Sequence, residues 1–330
     1  MKVAVLSSAH MHALSYIAAV RRIAGAQVVG LYDDDPVRGR RVSEEVHTPF
    51  FRNRDELLEK CDAVIVCSEN VRHKENVLAA ARAKKHVLCE KPIATSAADA
   101  VEMIRACENA GVKLYIAFPV RYIAAVRQLK ELVQSGKLGD VLAIRGTNHG
   151  YMPTGWFIDR ALSGGGAVMD HTVHVADIMR YILESEVSDV YAQIDNRVHG
   201  KDIDDCGILT LTFENGVIAT LDPSWSRTSA YPTWGDVTVE VIGTNGTALF
   251  DAFAPHVNVY ATSAGKGTYD FYGEDMDFFL VKSFLEAISG ANTESADGVD
   301  GLRAMEVALA AYESAKSGAV VRLERAQVGV

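Results

Sequence analysis

The chain is short of several features that mark specialised proteins. Its five cysteines, Cys61, Cys67, Cys89, Cys107 and Cys206, are odd in number and scattered, with no Cys-x-x-Cys pair. That pattern excludes a disulfide framework and a cysteine-based metal module, and it predicts a reduced, cytoplasmic protein. No apolar run reaches membrane-spanning length, and the Val3-to-Leu6 run near the start is too short for a signal-peptide core. Positive charge is in deficit, 33 Lys and Arg against 43 Asp and Glu, giving a net charge of -10. Nucleic acid and anionic membrane surfaces are therefore excluded as partners. Repeats, low-complexity tracts and long linkers are also missing. What remains, 48% hydrophobic and 23% charged over 330 residues, is an ordinary globular composition in a chain long enough for two domains.

From residue 1 to about 117, short apolar runs alternate with amphipathic stretches. Strands are predicted at 3–6, 27–32, 48–51, 63–67, 86–90 and 113–117, and helices at 13–23, 36–46, 54–60, 73–83 and 96–110. Pro36 and Ser96 are helix-start signals. Such alternation predicts right-handed crossovers and a buried parallel sheet, with ligands at the carboxyl ends of the strands. The loops after Leu6, Tyr32, Cys67 and Glu90 should share one rim.

The first of those loops lacks what a dinucleotide fold usually supplies there, Gly-x-Gly-x-x-Gly opening onto a helix N-terminus. Ser7, Ala9 and His12 occupy the three glycine positions of Ser7-Ser-Ala-His-Met-His12. Two of these are small and allow close backbone approach; His12 is not. His10, Met11 or His12 can face a diphosphate or a substrate, or can be plain surface residues. After the second strand, Asp33 has the spacing of an acid that accepts the adenosine ribose hydroxyls and repels a 2′-phosphate, which favours NAD over NADP. Asp33-Asp-Asp-Pro36 is equally a turn and helix start.

The run from Ser163 to Asp177 opens with three glycines and continues as a helix ending near Leu183. Val168, Val175, Met179 and Ile182 form its packing stripe. Asp170, His174 and Asp177, four and three residues apart, line a second face, where a carboxylate can orient an imidazole for acid/base work. The fifth strand ends in Glu90-Lys91-Pro92, which presents a lysine to the ligand rim.

Glu90-Lys91-Pro92 together with Ser163 to Asp177 resembles the Gfo/Idh/MocA oxidoreductases, named after glucose–fructose oxidoreductase, inositol dehydrogenase and a rhizopine-catabolism protein. The resemblance covers almost the whole chain. It includes Asp62-Ala-Val-Ile-Val-Cys-Ser-Glu-Asn70 with His73, Ser135-Gly-Lys-Leu-Gly-Asp140, Asp297-Gly-Val-Asp-Gly301 and Ala311-Tyr-Glu-Ser-Ala-Lys-Ser-Gly318. It implies an α/β Rossmann domain, residues 1–120, followed by an α+β domain with a mostly antiparallel open sheet, residues 121–330. It further implies a homo-oligomer, dimer or tetramer, and hydride transfer between NAD, or NADP, and a hydroxyl carbon of a sugar, cyclitol or related polyol. By position, Lys91 matches the active-site lysine, and Asp170 and His174 match the acid and the catalytic histidine. On that reading His174 is the base, Asp170 orients it, and Lys91 binds the reacting oxygen; Lys91 and His174 can exchange roles. Cofactor contacts are expected from Ser7, Ala9, His10, Met11, His12, Asp33, Ser68, Asn70, His73, Glu90 and Lys91. Substrate contacts are expected from Lys91, Asn148, Trp156, Arg160, Asp170 and His174. No metal is expected, because Asp170, His171 and His174 on one helix diverge too far in direction to share an ion.

Beyond residue 121 a helix is predicted at 124–134 and strands at 141–148, 190–197, 207–213, 217–223, 237–242 and 247–251, with closing helices at 277–289 and 302–317. Trp225, Tyr231 and Trp234 mark a loop near the active site or a subunit contact. Two other readings stand beside the dehydrogenase. One is a nicotinamide-assisted glycoside hydrolase or lyase without net redox. The other is a non-catalytic ligand-binding or regulatory relative, suggested by the altered first loop.

Overall fold

The computed structural model describes residues 1–261, 263, 265, 267–291 and 293–328. The first domain is a six-stranded parallel sheet of β1 (Lys2–Leu6), β2 (Gln27–Tyr32), β3 (Phe50–Phe51), β4 (Ala63–Val66), β5 (His86–Cys89) and β6 (Leu114–Ile116). Its order is β3-β2-β1-β4-β5-β6. Between these strands run α1 (His12–Arg22), α2 (Pro36–Glu45), α3 (Arg54–Leu58), α4 (His73–Arg82) and α5 (Ala97–Ala110). The central strands read as unbroken apolar runs because helices cover both faces; every residue of β4 is buried. Helix starts follow the side chains foreseen for them. Asp35 accepts from the amides of Val37 and Arg38 ahead of Pro36, and Ser96 from the amide of Asp99. The strand expected at 48–51 shrinks to Phe50–Phe51, since Pro49 has no amide to donate. Strand order reverses between β1 and β4, which opens a crevice at their carboxyl ends.

The second domain begins with α6 (Ala124–Gln134), β7 (Val141–Gly150), α7 (Arg160–Ser163) and α8 (Ala167–Leu183). Five further strands follow: β8 (Val187–Asp195), β9 (Cys206–Phe213), β10 (Ile218–Ser224), β11 (Gly235–Gly243) and β12 (Gly246–Asp251). A small hairpin pairs β13 (His256–Val259) with β14 (Thr268–Phe271). The chain ends with α9 (Met276–Ile288), α10 (Gly298–Ser317) and β15 (Val321–Arg322). The large sheet runs β12-β11-β7-β10-β9-β8-β15 and is antiparallel except where β7 meets β10. Alternation along β7 sends Ile144, Gly146 and Asn148 inward and Arg145, Thr147 and His149 outward. The inner face packs on Val168, Val175, Met179 and Ile182 of α8, the stripe read from the sequence.

Sequence reading missed β13, β14 and β15, and it began β8 three residues late. Leu280, Val281 and Phe284 of α9 share a core with Val3, Val5 and Tyr16, and Ala304, Met305 and Ala308 of α10 pack with Leu114 and Ile116. The C-terminal helices therefore complete the first domain's core. No helix among the described residues is long and apolar enough to cross a membrane, and all five cysteines are free thiols.

On the outer face of the large sheet, His149 bridges two carboxylates, with Nε2 3.2 Å from Asp222 and Nδ1 2.8 Å from Asp236. Burial lowers its pKa, but the two carboxylates outweigh burial and raise it to about 9. A folded-state pKa above the unfolded value contributes stability below pH ~6.5 that is lost as pH rises through about 9. Denaturant midpoints at pH 6.5 and 9.5 should fall further for the wild type than for His149→Asn. The excess should be on the order of 2 kcal/mol, and equal falls would remove the ring from the stability balance.

Candidate active site

The loop leaving β1 keeps the backbone shape of a glycine loop without the glycine. Ser7 adopts φ 68°, in the left-handed region. Its amide donates to Tyr32 O at 2.6 Å, and that of His10 to Cys67 O at 2.9 Å, tying the loop across β1, β2 and β4. Asp33 receives both the amide and the hydroxyl of Ser8, at 2.8 and 2.6 Å, and Arg38 adds bonds of 2.7 to 3.2 Å. Burial opposes ionisation here, yet Arg38 and Ser8 outweigh it and lower the Asp33 pKa. His12, in the third glycine position, opens α1 and reaches Glu90 Oε1 at 2.9 Å; Tyr16 donates to the same oxygen at 2.6 Å. Burial drives His10 down to about 3, so its ring is neutral. His12 moves the other way despite burial, because Glu90 raises it.

From β5 the chain delivers Lys91, and α8 delivers its partner. The Lys91 ammonium lies 2.5 Å from Asp170 Oδ1. Asp170 Oδ2 accepts from Trp225 Nε1 at 3.1 Å and lies 3.3 Å from His171 Nε2. Burial alone would raise Asp170, but Lys91 and His171 hold its carboxyl well below the usual range. One turn on, His174 sits edge-on to Phe118, and its Nδ1 is buried with no hydrogen-bond partner. Burial, reinforced by the charge of Lys91, keeps this imidazole well below its ordinary pKa and therefore neutral. The site thus joins a fixed cation to an unengaged neutral base.

The glycine run makes this placement possible. A Cβ on Gly166 would lie 2.0 Å from Asp204 O, and one on Gly165 would lie 2.4 Å from the Tyr312 hydroxyl. At Gly164, with φ 80°, it would meet the Thr95 side chain at 2.5 Å. Asp204 then accepts from the amides of Gly166 and Val168 at 2.9 Å each, capping α8 from a distant loop.

Similarity to known proteins agrees with this geometry. Residues 2–118 match the profile described as an oxidoreductase family with an NAD-binding Rossmann fold, and residues 126–249 match the GFO/IDH/MocA C-terminal domain. An uncharacterized oxidoreductase, YrbE of Bacillus subtilis (strain 168), is 34% identical over 284 residues, 81% of this chain and 79% of its own. The chain belongs to the GFO/IDH/MocA oxidoreductase family. Myo-inositol 2-dehydrogenase of Thermotoga maritima is 31% identical over 286 residues, 83% of this chain and 84% of its own. The crystal structure of a probable dehydrogenase from Thermotoga maritima superposes with a TM-score of 0.85 at 27% identity, covering 98% of this chain and 99% of that one.

The cofactor of this NAD-binding oxidoreductase family has a matching crevice here. Ser68 Oγ, Glu69 Oε2 and Asn70 Oδ1, on consecutive residues after β4, are buried without hydrogen-bond partners. Ser68 Oγ and Asn70 Oδ1 without partners, and Glu69 Oε2 with only a 3.8 Å ion pair to Arg72, suit a ligand rich in hydroxyl and amide donors where the strand order reverses, as the ribose and nicotinamide of NAD are.

Several residues do something other than expected from the sequence. Asp170 does not bond His174; its carboxylate is taken by Lys91, Trp225 and His171. Asp177 leaves the catalytic face altogether and forms a buried two-pronged pair with Arg121, which also bonds Asp300. His73 is fully buried, its nitrogens 2.9 Å from Pro92 O and 3.2 Å from Ser68 O, so it ties two rim loops together from inside. Asp33 faces Ser8 and Arg38 rather than open crevice. Arg160 is exposed and lines a separate recess with Asp195, Asp202 and Tyr312. Trp156 donates to Ala9 O at 3.0 Å and stacks on Phe157, walling the first loop. Asn70 donates to Ser163 O at 2.8 Å, and Asn148 to His171 O at 3.2 Å. Ser7 and Glu90 are buried at the rim, whereas Met11 is exposed. Asp204 and Tyr312 were not foreseen as supports of the site, because their partners are distant in sequence and no local spacing signals them; Trp225, expected in a loop near the site or at a subunit contact, bonds Asp170.

Removing one member of the Lys91–Asp170 pair strands a buried charge. Asp170→Asn should lose about 3 kcal/mol in urea unfolding, and the Asp170→Asn, Lys91→Met double variant should lose less than the sum of the singles. Additive losses would mean that the two groups do not interact.

Proposed function

We propose that this protein is a dehydrogenase or reductase that uses NAD and acts on a hydroxyl carbon of a sugar, cyclitol or related polyol. The observation that carries the reading is the pairing of a fixed Lys91 ammonium with a neutral, unengaged His174 at the carboxyl edge of an NAD-binding sheet. When bound, nicotinamide supplies the hydride acceptor. His174, kept neutral by burial and by Lys91, takes the hydroxyl proton on a ring nitrogen. Lys91 holds the reacting oxygen and stabilises negative charge developing on it. Asp170 acts through Lys91, fixing its position and charge, and Trp225 fixes Asp170. Asn148 Oδ1, buried and unpartnered, offers an acceptor for a further hydroxyl. Likeness to myo-inositol 2-dehydrogenase supports the polyol class.

Around the adenosine position, three carboxylates (Asp33, Asp34 and Glu69) meet two guanidinium groups (Arg38 and Arg72), a balance of one negative charge. That surplus disfavours a 2′-phosphate. Calorimetry should therefore give NADH at least about tenfold tighter binding than NADPH. His174→Ala should lower turnover by about a thousandfold while leaving the NADH dissociation constant nearly unchanged. A fully active variant would sink the role assigned to His174. Cleavage of an aryl glycoside without net NADH formation would instead select the hydrolase or lyase reading.

The outer face of the large sheet supports a homo-oligomer. Ile208 and Ile218 are more than half exposed among Thr210, Thr212 and Thr220. Sedimentation should show a dimer or tetramer for the wild type and a smaller species for the Ile208→Lys, Ile218→Lys variant. The free thiols are consistent with a cytoplasmic protein.

A further inference from the structure

His10 and His12, in the loop that lacks the usual glycines, form with Glu90 a cluster to which the proposed hydride step gives no chemical role. We propose that His10, His12 and Glu90 form a binding site for one first-row divalent cation of the zinc type, at the floor of the cleft beside Lys91. Their ligand atoms all lie within 4.8 Å of one another. Glu90 Oε1 stands 2.9 Å from His12 Nδ1 and 3.7 Å from His10 Nδ1. Ligands around a tetrahedral zinc ion, with bonds of roughly 2.0 to 2.2 Å, sit roughly 3.3 to 3.6 Å apart, so the two spacings bracket what an ion needs.

The surroundings suit an ion as well. Two imidazoles and a carboxylate are the donor set of open zinc sites, which keep a fourth position for water or substrate. Glu90 is oriented from outside the set by the Tyr16 hydroxyl at 2.6 Å and the Lys91 amide at 3.0 Å, as ligating carboxylates are. Phe157 and Trp156 hold the His10 ring, with centroids 5.2 and 6.1 Å away. His12 is partly exposed, which gives an access path from the cleft. The ammonium of Lys91, the residue after Glu90, is matched by Asp170 and is not a bare charge. Ligation through His10 Nδ1 replaces the bond this atom now accepts from the His12 amide at 3.2 Å, and binding releases any proton on His12.

The test uses the tag-free full-length chain, stripped with chelator and titrated with Co2+ alone. One equivalent should bind and give the visible absorption of tetrahedral cobalt. Glu90→Gln, which preserves the shape of the site, should weaken binding at least tenfold, and the His10→Ala, His12→Ala double variant should abolish it. His149→Ala, altering a histidine–carboxylate cluster on the outer face of the large sheet, should bind as the wild type does. Circular dichroism checks that each variant folds; if the double variant fails, Glu90→Gln carries the test. Absence of stoichiometric binding, or binding that survives in the folded variants of the cluster, overturns the proposal. Because no dinucleotide is present, its failure is independent of the fate of the redox reading, which the NADH titration decides.

Discussion

The contact between Lys91 and Asp170 joins the two domains at the place where chemistry is expected. It links the end of a parallel strand in one domain to the first turn of the longest helix of the site in the other. Neither charge is buried cheaply; Asp170 compensates the Lys91 ammonium, and Trp225 and His171 add to what Lys91 gives the carboxylate. The relation between the sheet edge and α8 is therefore set by an ion pair that slackens if either domain shifts. His174, one turn along, inherits its position from the same docking. Its neutrality follows from burial of the ring, reinforced by the nearby Lys91 charge.

That docking depends on backbone approaches only glycine allows. Gly164 abuts Thr95 of the first domain, Gly165 abuts Tyr312, and Gly166 lies against Asp204. The run that looks like a ligand-binding loop serves first to bring α8 close to its neighbours. Its helix N-terminus is satisfied by Asp204 and Tyr312. The pole of the helix is consequently occupied by protein, and the reactive groups lie along its side rather than at its end.

The dinucleotide loop shows the opposite substitution. Its glycines are gone, yet Ser7 retains a left-handed backbone and the loop still crosses the carboxyl edge of the sheet. His12 turns inward to Glu90 instead of leaving space, so this edge holds a polar cluster where a glycine would leave bare backbone. The unmatched oxygens of Ser68, Glu69 and Asn70 lie on the adjacent loop, on the other side of the strand reversal. Partnerless polar atoms thus lie after β4, while the loop after β1 carries ionisable groups.

Alternation of apolar runs, the glycine triplet and the Glu90-Lys91-Pro92 ending made the fold and the sheet edge legible in the sequence, and the family resemblance put forward Lys91, Asp170 and His174 as candidate site residues. Periodicity reports which residues share a face, and covalent order reports which loops share an edge, so both survive without coordinates. The choice of partner does not. Asp170 and His174 have the spacing of a hydrogen-bonded pair, but Asp170 turns to Lys91, 79 positions away, because a buried carboxylate is better compensated by an ammonium than by a neutral ring. Asp177 likewise goes to Arg121, and His73 to two carbonyls. Which of several chemically able residues keeps an unpartnered atom and which is paired was settled by packing, since a buried charge is stable only where the chain brings a complementary group to it.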